Sequence, residues 1–367
     1  MLKIVHITFD MRIGGTEMVI RNIIEGMRDS FFEMSVFCIE SPLGPWGNEL
    51  QQKGIPITST QRSPGFDISL IKNIRQYVRE NNIDIVHCHQ YTPWVYGALA
   101  TCFTKTKVIF TEHGRFYPDS ASWKRKLVNP LLVSLTDKIT SISNATKQAL
   151  TEFESIPASK IQTIYNGIHP LERDHQQVLT LRDTLGIPRE HKILGTIARF
   201  DPIKNHQMML EAFSVVLVSH PNTTLIMVGD GEERDNIEKV IRELNIGNNI
   251  ILTGYQSSPT HFLALMDIFL LSSLSEGTSM TLLEAMSLSK PCVVTDAGGN
   301  AEIVLNGETG VVTPNDDANS FAQGINDLLS NGYSTLSLNA KRRFEAHFSE
   351  QIMNTHYQDA YLSLNND

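Results

Sequence analysis

Ser275-Glu276-Gly277-Thr278-Ser279-Met280-Thr281-Leu282-Leu283-Glu284-Ala285-Met286 follows the apolar run Asp267–Leu271 and opens an amphipathic stretch. Its two glutamates have seven residues between them. Gly277, Thr278 and Ser279 suit a chain that turns tightly, caps a helix and presents backbone N–H groups to an anion. Glu284 comes about one and a half helical turns later. A phosphate at the N–H groups and a sugar hydroxyl at Glu284 fit a bound nucleotide sugar. An apolar run, a glycine-bearing turn and a helix start together make the repeating unit of a parallel α/β sheet.

The same unit recurs from end to end. Leu2–Phe9, Met34–Ile39, Asp84–Cys88, Lys107–Thr111 and Ile139–Ser143 read as strands, with helical candidates such as Glu17–Met27 between most of them. After Ile168 the chain turns polar over Leu171–Glu190. A second series then follows: Ile193–Ala198, Thr224–Val228, Asn249–Leu252, Asp267–Leu271 and Pro291–Val294. Near-continuous apolar strands separated by helices imply parallel sheets covered on both faces. At 367 residues the chain is long enough for two cores. The expected fold is α/β, with two Rossmann-like doubly wound domains facing across a cleft. An N-terminal domain is expected over 1–169 and a second over 170–349, the boundary falling at the turn residues Asn166–Pro170. A last helix over 350–367 is set apart from the second core by Lys341-Arg342-Arg343.

The formal charge of −9 argues against nucleic acid as a partner. Four scattered cysteines without a Cys-x-x-Cys pair read as buried thiols of a reducing compartment. Asp10 and Arg12 interrupt the first apolar run, so no secretory pattern is present, and no run of about 18 apolar residues could span a bilayer. The expected localisation is cytoplasmic, or peripheral at the inner face of the plasma membrane.

Ligands of doubly wound folds bind beyond the carboxyl ends of strands, and the chemistry-bearing clusters lie there. Gly14 and Gly15, before Thr16 and Glu17, clear space for a ligand at a helix start; an ordinary turn capped by Thr16 is the bland alternative. In Arg199-Phe200-Asp201-Pro202-Ile203-Lys204, Asp201 suits an N-cap and Pro202 the first helical position. Arg199 and Lys204 could then neutralise a diphosphate leaving group without a metal. Gly229-Asp230-Gly231-Glu232 makes a loop with room for a base or ribose, or a plain turn. His113, in Thr111-Glu112-His113-Gly114-Arg115, can meet a sugar hydroxyl. His87 and His89 share one face of a strand, but no third ligand has metal-site spacing. Ala297-Gly298-Gly299-Asn300-Ala301-Glu302 adds a further glycine-rich turn after a strand.

In order and spacing these residues resemble the retaining glycosyltransferases of family 4, of GT-B architecture. The resemblance covers nearly the whole chain, and it implies that the last helix, 350–367, packs back on the first domain. It is carried by Gly14-Gly15-Thr16-Glu17, His113-Gly114, Asn166-Gly167-Ile168, Arg199 with Lys204, Glu276 with Glu284, and Gly298-Gly299-Asn300-Ala301-Glu302. It implies that Arg199 and Lys204 hold the donor diphosphate, that Glu284 takes the ribose hydroxyls, and that Glu276 contacts the transferred sugar. Gly277 and the N–H groups of Thr278 and Ser279 would face phosphate or sugar oxygens. Gly229 would line the donor site, and His113 would sit at the reacting face. Gly14 and Gly15 would let the first-domain loop close on the donor, with Glu17 and Arg115 on the acceptor side. Many relatives have Phe-Gly after the first glutamate where this chain has Gly277-Thr278-Ser279, a change that bears on sugar preference.

No cofactor and no metal are expected. The partners implied are a nucleotide-sugar donor and a glycan or lipid-linked acceptor of polysaccharide assembly. A GT-B epimerase or phosphorylase, and a non-catalytic nucleotide-sugar-binding protein, stay open beside this reading. Arg115-Phe116-Tyr117 and Trp123-Lys124-Arg125-Lys126 read either as a patch on anionic lipid or as a solvated loop and helix start.

Overall fold

A computed structural model describes residues 1–28, 31–114 and 120–365. The chain forms two compact units, one of Met1–His169 with Ser349–Asp367, the other of Pro170–Phe348.

The first unit opens with β1 (Leu2–Thr8), α1 (Gly15–Gly26), β2 (Phe32–Cys38), α2 (Pro45–Gln52), β3 (Ile57–Ser59) and α3 (Ile68–Glu80). It continues with β4 (Ile85–His89), α4 (Tyr91–Thr101), β5 (Lys107–Glu112), α5 (Trp123–Ser134), β6 (Lys138–Ser141), α6 (Asn144–Glu154) and β7 (Ile161–Thr163). All seven strands are parallel, in the order β3-β2-β1-β4-β5-β6-β7. Fully buried Val5, Ile7, Val86, Cys88 and Phe110 form the layer under Trp94, whose ring stacks on Phe110 at 4.1 Å.

The second unit runs α7 (His175–Thr184), β8 (Lys192–Ile197), α8 (His206–Ser219), β9 (Thr223–Val228), α9 (Arg234–Glu243) and β10 (Ile250–Gly254). Then come α10 (Thr260–Leu265), β11 (Ile268–Leu271), α11 (Met280–Ser287), β12 (Cys292–Thr295), α12 (Asn300–Ile303) and β13 (Gly310–Thr313). The helices α13 (Ala318–Asn331) and α14 (Ser334–His347) complete it. Its six strands are parallel, in the order β10-β9-β8-β11-β12-β13. In both sheets the order reverses beside the first strand, between β1 and β4 and between β8 and β11. Those are the switch points where the carboxyl ends of the strands leave room for a ligand.

The last helix, α15 (Glu350–Asn365), belongs to the first unit. It buries Met353, Tyr357, Tyr361 and Leu364 there, and Tyr361 meets Phe32 edge-on. Gly167 makes the return possible, since a Cβ there would lie 2.4 Å from the Ser349 carbonyl oxygen. Lys341-Arg342-Arg343 does not separate this helix from the second unit. The three residues lie inside α14, where the Arg343 guanidinium donates to the carbonyls of Ile303 and Glu302. The break comes at Phe348 instead. Three strands escaped the sequence pattern, β3, β7 and β13. Each is an edge strand of three or four residues and is partly open to solvent, unlike the equally short but buried β11 and β12.

Candidate active site

At the second unit's switch point, the loop after β11 is tied down at nearly every residue. Ser272 Oγ donates to the Lys204 carbonyl at 2.7 Å, and Leu274 N–H donates to the Ile203 carbonyl at 2.7 Å. Thr295 Oγ1 holds the Ser273 carbonyl at 2.6 Å, and Asn315 Nδ2 holds that of Leu274 at 2.9 Å. Gly299 N–H takes the Glu276 carbonyl at 3.0 Å. The neighbouring Gly298 has φ +58, and a Cβ there would stand 1.9 Å from that same carbonyl oxygen. The glycine pair after β12 is therefore the floor on which Glu276 rests.

Glu276 and Lys204 form an ion pair, Nζ to Oε1 at 2.6 Å, with side chains 10% and 23% exposed. Ser273 Oγ donates to the same Oε1 at 2.6 Å. Lys204 is thus engaged in the free protein, whereas Arg199 is exposed and its guanidinium pairs with nothing among the described residues. The helix start expected at Asp201-Pro202 is a three-residue 3-10 turn, Pro202–Lys204. Asp201 caps it by accepting from Lys204 N–H at 3.2 Å. Left-handed Asn205 (φ 48) then intervenes and α8 begins at His206. So short a turn carries no appreciable dipole, and the cations themselves supply the positive charge here.

α11 starts where the sequence places it. Ser279 is its N-cap, Oγ accepting from Leu282 N–H at 3.4 Å, and Thr278 and Ser279 are both buried. Glu284 lies on this helix, half-buried. Its carboxylate has no partner among the described residues, and burial raises its pKa to about 7. Such a group has lost water without gaining a donor, and hydroxyls brought by a ligand would supply one.

Gly229 has φ +148, and a Cβ there would meet the Ala198 carbonyl oxygen at 1.9 Å. Phe200 N–H donates to the Asp230 carbonyl and Glu233 N–H to that of Phe200. The missing side chain at Gly229 therefore lets this loop press against the segment that carries Arg199, which is a different need from room for a base.

In the first unit Gly14, not Thr16, is the N-cap of α1, with no side-chain cap. The Glu17 carboxylate fills the space beside Gly14, 2.5 Å from where a Cβ would lie. Burial raises the pKa of Glu17, the bond to its own backbone N–H opposing this. An anion arriving at this helix start would first meet that carboxyl. Arg115 lies outside the described residues, as do Phe116 and Tyr117.

The register of β1 against β4 sets His6 opposite His87, which gives the histidine pair a third member that spacing alone had missed. One ring nitrogen from each of His6, His87 and His89 falls within 4.8 Å of the others. The hydrogen bonds account for most of these atoms. His87 uses Nδ1 on the Tyr361 hydroxyl at 2.8 Å and Nε2 on Thr111 Oγ1 at 2.7 Å. His6 Nδ1 lies 2.9 Å from His89 Nε2, and His89 Nδ1 lies 2.8 Å from His113 Nε2. Burial holds His6 and His113 down at about 3 and depresses His87 and His89 as well, so all four rings are neutral.

Comparison with known proteins accords with this layout. Residues 13–170 match the family model described as Glycosyltransferase Family 4, and residues 178–345 match Glycosyl transferases group 1. The N-acetyl-alpha-D-glucosaminyl L-malate synthase of Bacillus anthracis is 28% identical over 83% of this chain and 81% of its own length. The Escherichia coli UDP-Gal:alpha-D-GlcNAc-diphosphoundecaprenol alpha-1,3-galactosyltransferase is 25% identical over 88% of this chain and 87% of its own. In fold, a crystal structure of Anabaena Alr3699/HepE in complex with UDP superimposes with a TM-score of 0.87 at 22% identity, covering 99% of this chain and 100% of that one. With two parallel switch-point sheets and a match from residue 13 to residue 345, the chain belongs to the family 4 glycosyltransferases and has the GT-B fold.

Proposed function

We propose that the protein transfers a sugar, with retained anomeric configuration and without a metal, from a nucleotide-diphosphate sugar to a hydroxyl of a glycan or lipid-linked acceptor in polysaccharide assembly. The observation that carries the donor assignment is Glu284, a desolvated carboxylate with an empty acceptor capacity on the helix that Ser279 caps. Two ribose hydroxyls donate to it. Arg199 takes the diphosphate together with Lys204, which exchanges part of its bond to Glu276 for phosphate oxygens. Glu276, held by Ser273 and by the Gly298-Gly299 floor, faces the transferred sugar. His113 is the neutral imidazole assigned to a sugar hydroxyl.

In the transfer, the bond from the anomeric carbon to the β-phosphate oxygen breaks as the acceptor oxygen bonds to the same face. The acceptor proton passes to the departing phosphate oxygen. No carboxylate is assigned as nucleophile; Glu276 is held through Oε1 by Lys204 and Ser273 in the free protein. Arg199 and Lys204 supply the charge that a divalent ion would otherwise bring to the leaving group. The Anabaena structure contains UDP and the Escherichia coli relative is named for UDP-Gal and a diphosphoundecaprenol acceptor, which supports a uridine donor as the first to test. A thermal-shift screen of UDP, GDP, ADP, CDP and dTDP with their sugars identifies the base. NMR of the product anomer, and turnover in EDTA, test retention and metal independence; an inverted product or EDTA-abolished turnover would overturn those parts.

A peripheral membrane contact through α5 is part of the proposal. Trp123, Leu127 and Leu131 stand at successive i, i+4 positions with 69%, 71% and 56% exposure, flanked by exposed Lys124 and Lys126 on a chain of charge −9. An apolar stripe edged with cations fits an anionic lipid surface. None of the described helices is long and apolar enough to cross a membrane. Flotation with anionic but not neutral vesicles, lost in Trp123→Ser/Leu127→Ser, is the expected result; no binding at low salt refutes the contact.

A further inference from the structure

His6 in β1, His89 at the end of β4 and His113 just after β5 form one hydrogen-bonded chain of imidazoles, with links of 2.9 and 2.8 Å. Proton counting limits what it can hold. Three neutral rings carry three N–H protons, and each nitrogen-to-nitrogen link takes one. The third proton must sit at an end, on His6 Nε2 or on His113 Nδ1. Moving it from one end to the other reverses both links, so the three tautomers are set together.

The ends differ. His6 is fully buried, and its Nε2 has no partner among the described residues. The other neighbouring ring, His87, already spends both nitrogens on Tyr361 and Thr111. An N–H at His6 Nε2 would be a buried donor with nothing to receive it, the costlier kind of orphan. His113 Nδ1 is likewise buried and without a partner among the described residues, but the ring as a whole is only half-buried, unlike His6, and lies at the carboxyl end of β5, where a ligand can supply an acceptor.

We propose that His6 and His89 are positioning residues that hold the chain with a proton on every Nδ1, so that His113 meets a bound sugar as a neutral Nδ1–H donor. The sugar contact rests on the function proposed above; the tautomer arrangement does not. No proton is relayed through the chain, since His6 Nε2 has no group to exchange with among the described residues. Burial, which keeps His6 and His113 neutral, supports the count. A metal on His6, His87 and His89 is the competing use of these rings, but with one nitrogen from each it would have to break one bond of His87, to Tyr361 or Thr111, and one of His89, to His6 or His113.

The test is a two-bond 1H–15N correlation on the full chain labelled with 15N-histidine, recorded from pH 6 to pH 8 and assigned through single His→Asn variants. Expected are Nδ1–H tautomers for His6, His89 and His113, with none titrating. An Nε2–H tautomer at His113, a titrating imidazolium among the three, or stoichiometric metal in the purified protein would overturn the proposal. His6→Asn, whose amide can still donate to His89 Nε2, should keep the His113 tautomer and kcat/KM within about twofold. His6→Val should mix the tautomers and lower kcat/KM about tenfold. Equal loss in both variants points to packing alone and refutes the positioning role. Should His6→Val fail to fold, the unmutated chain's spectrum decides. Addition of the nucleotide sugar should shift the His113 Nδ1 proton; if the tautomers are as stated and that proton does not move, the sugar contact falls and the arrangement of tautomers stands.

Discussion

Glu284→Gln removes one charge and nearly preserves the shape of the side chain, so it separates what this carboxyl does for stability from what it does for binding. In the folded protein burial raises its pKa from 4.5 to about 7. Between those values the folded chain holds a proton that the unfolded chain has released, so stability falls as pH rises. The penalty is absent below 4.5 and complete above 7, where it reaches at most about 3 kcal/mol. Glu284→Gln should therefore raise the melting temperature of the second unit at pH 8, by up to about 6–12 °C, and leave it unchanged near pH 4.5. Binding should move the other way. Ribose hydroxyls favour the ionised carboxylate, so affinity for a nucleotide sugar should drop about tenfold between pH 8 and pH 6 in the unmutated protein. In Glu284→Gln it should be about 10–100-fold weaker and flat with pH. Scanning fluorimetry and titration calorimetry measure the two. The ligand must be a nucleotide sugar, because the terminal phosphate of a free diphosphate titrates in the same window. A variant that binds as tightly as the unmutated chain, or that melts lower at pH 8, would refute both the ribose assignment and the desolvation argument.

Other perturbations probe the supports of the site. Lys204→Met strands Glu276 in a nearly closed position with Ser273 for company; a loss of about 1–3 kcal/mol is expected in urea melts, largely restored by adding Glu276→Gln. Gly298→Ala puts a Cβ against the Glu276 carbonyl at a left-handed φ. It should cost more than about 1 kcal/mol and lower turnover, and a melt like that of the unmutated protein would count against the glycine floor. Tyr361→Phe takes the hydroxyl from His87 Nδ1 and should destabilise the first unit by about 1 kcal/mol in chemical denaturation.

The central strands were legible because each is an apolar run flanked by turn residues, and Glu276, Thr278, Ser279 and Glu284 were legible because strand, turn and helix follow one another locally. Edge strands such as Ile57–Ser59 were not, since three residues half open to solvent need no distinctive pattern. The segment after β8 misled for a different reason. Asp-Pro is an N-cap signal for a helix of any length, and only the left-handed Asn205 ended this one after a single turn. At Gly229 the sequence leaves a ligand-lining loop and a plain turn both open, and the close approach of the Ala198 carbonyl gives the glycine a packing reason that no local pattern shows.

By itself, then, the sequence determined the two α/β series, the glycine turns at strand ends and the spacing of Glu276 from Glu284, all properties of neighbours along the chain. Tertiary structure decided which of these groups meet. Strand order in a parallel sheet is set by crossover packing, which joins His6 to His89 across 83 residues and Lys204 to Glu276 across 72. Burial, which no local pattern specifies, left Glu284 without a partner among the described residues and with a pKa near neutrality, and kept the imidazole chain uncharged.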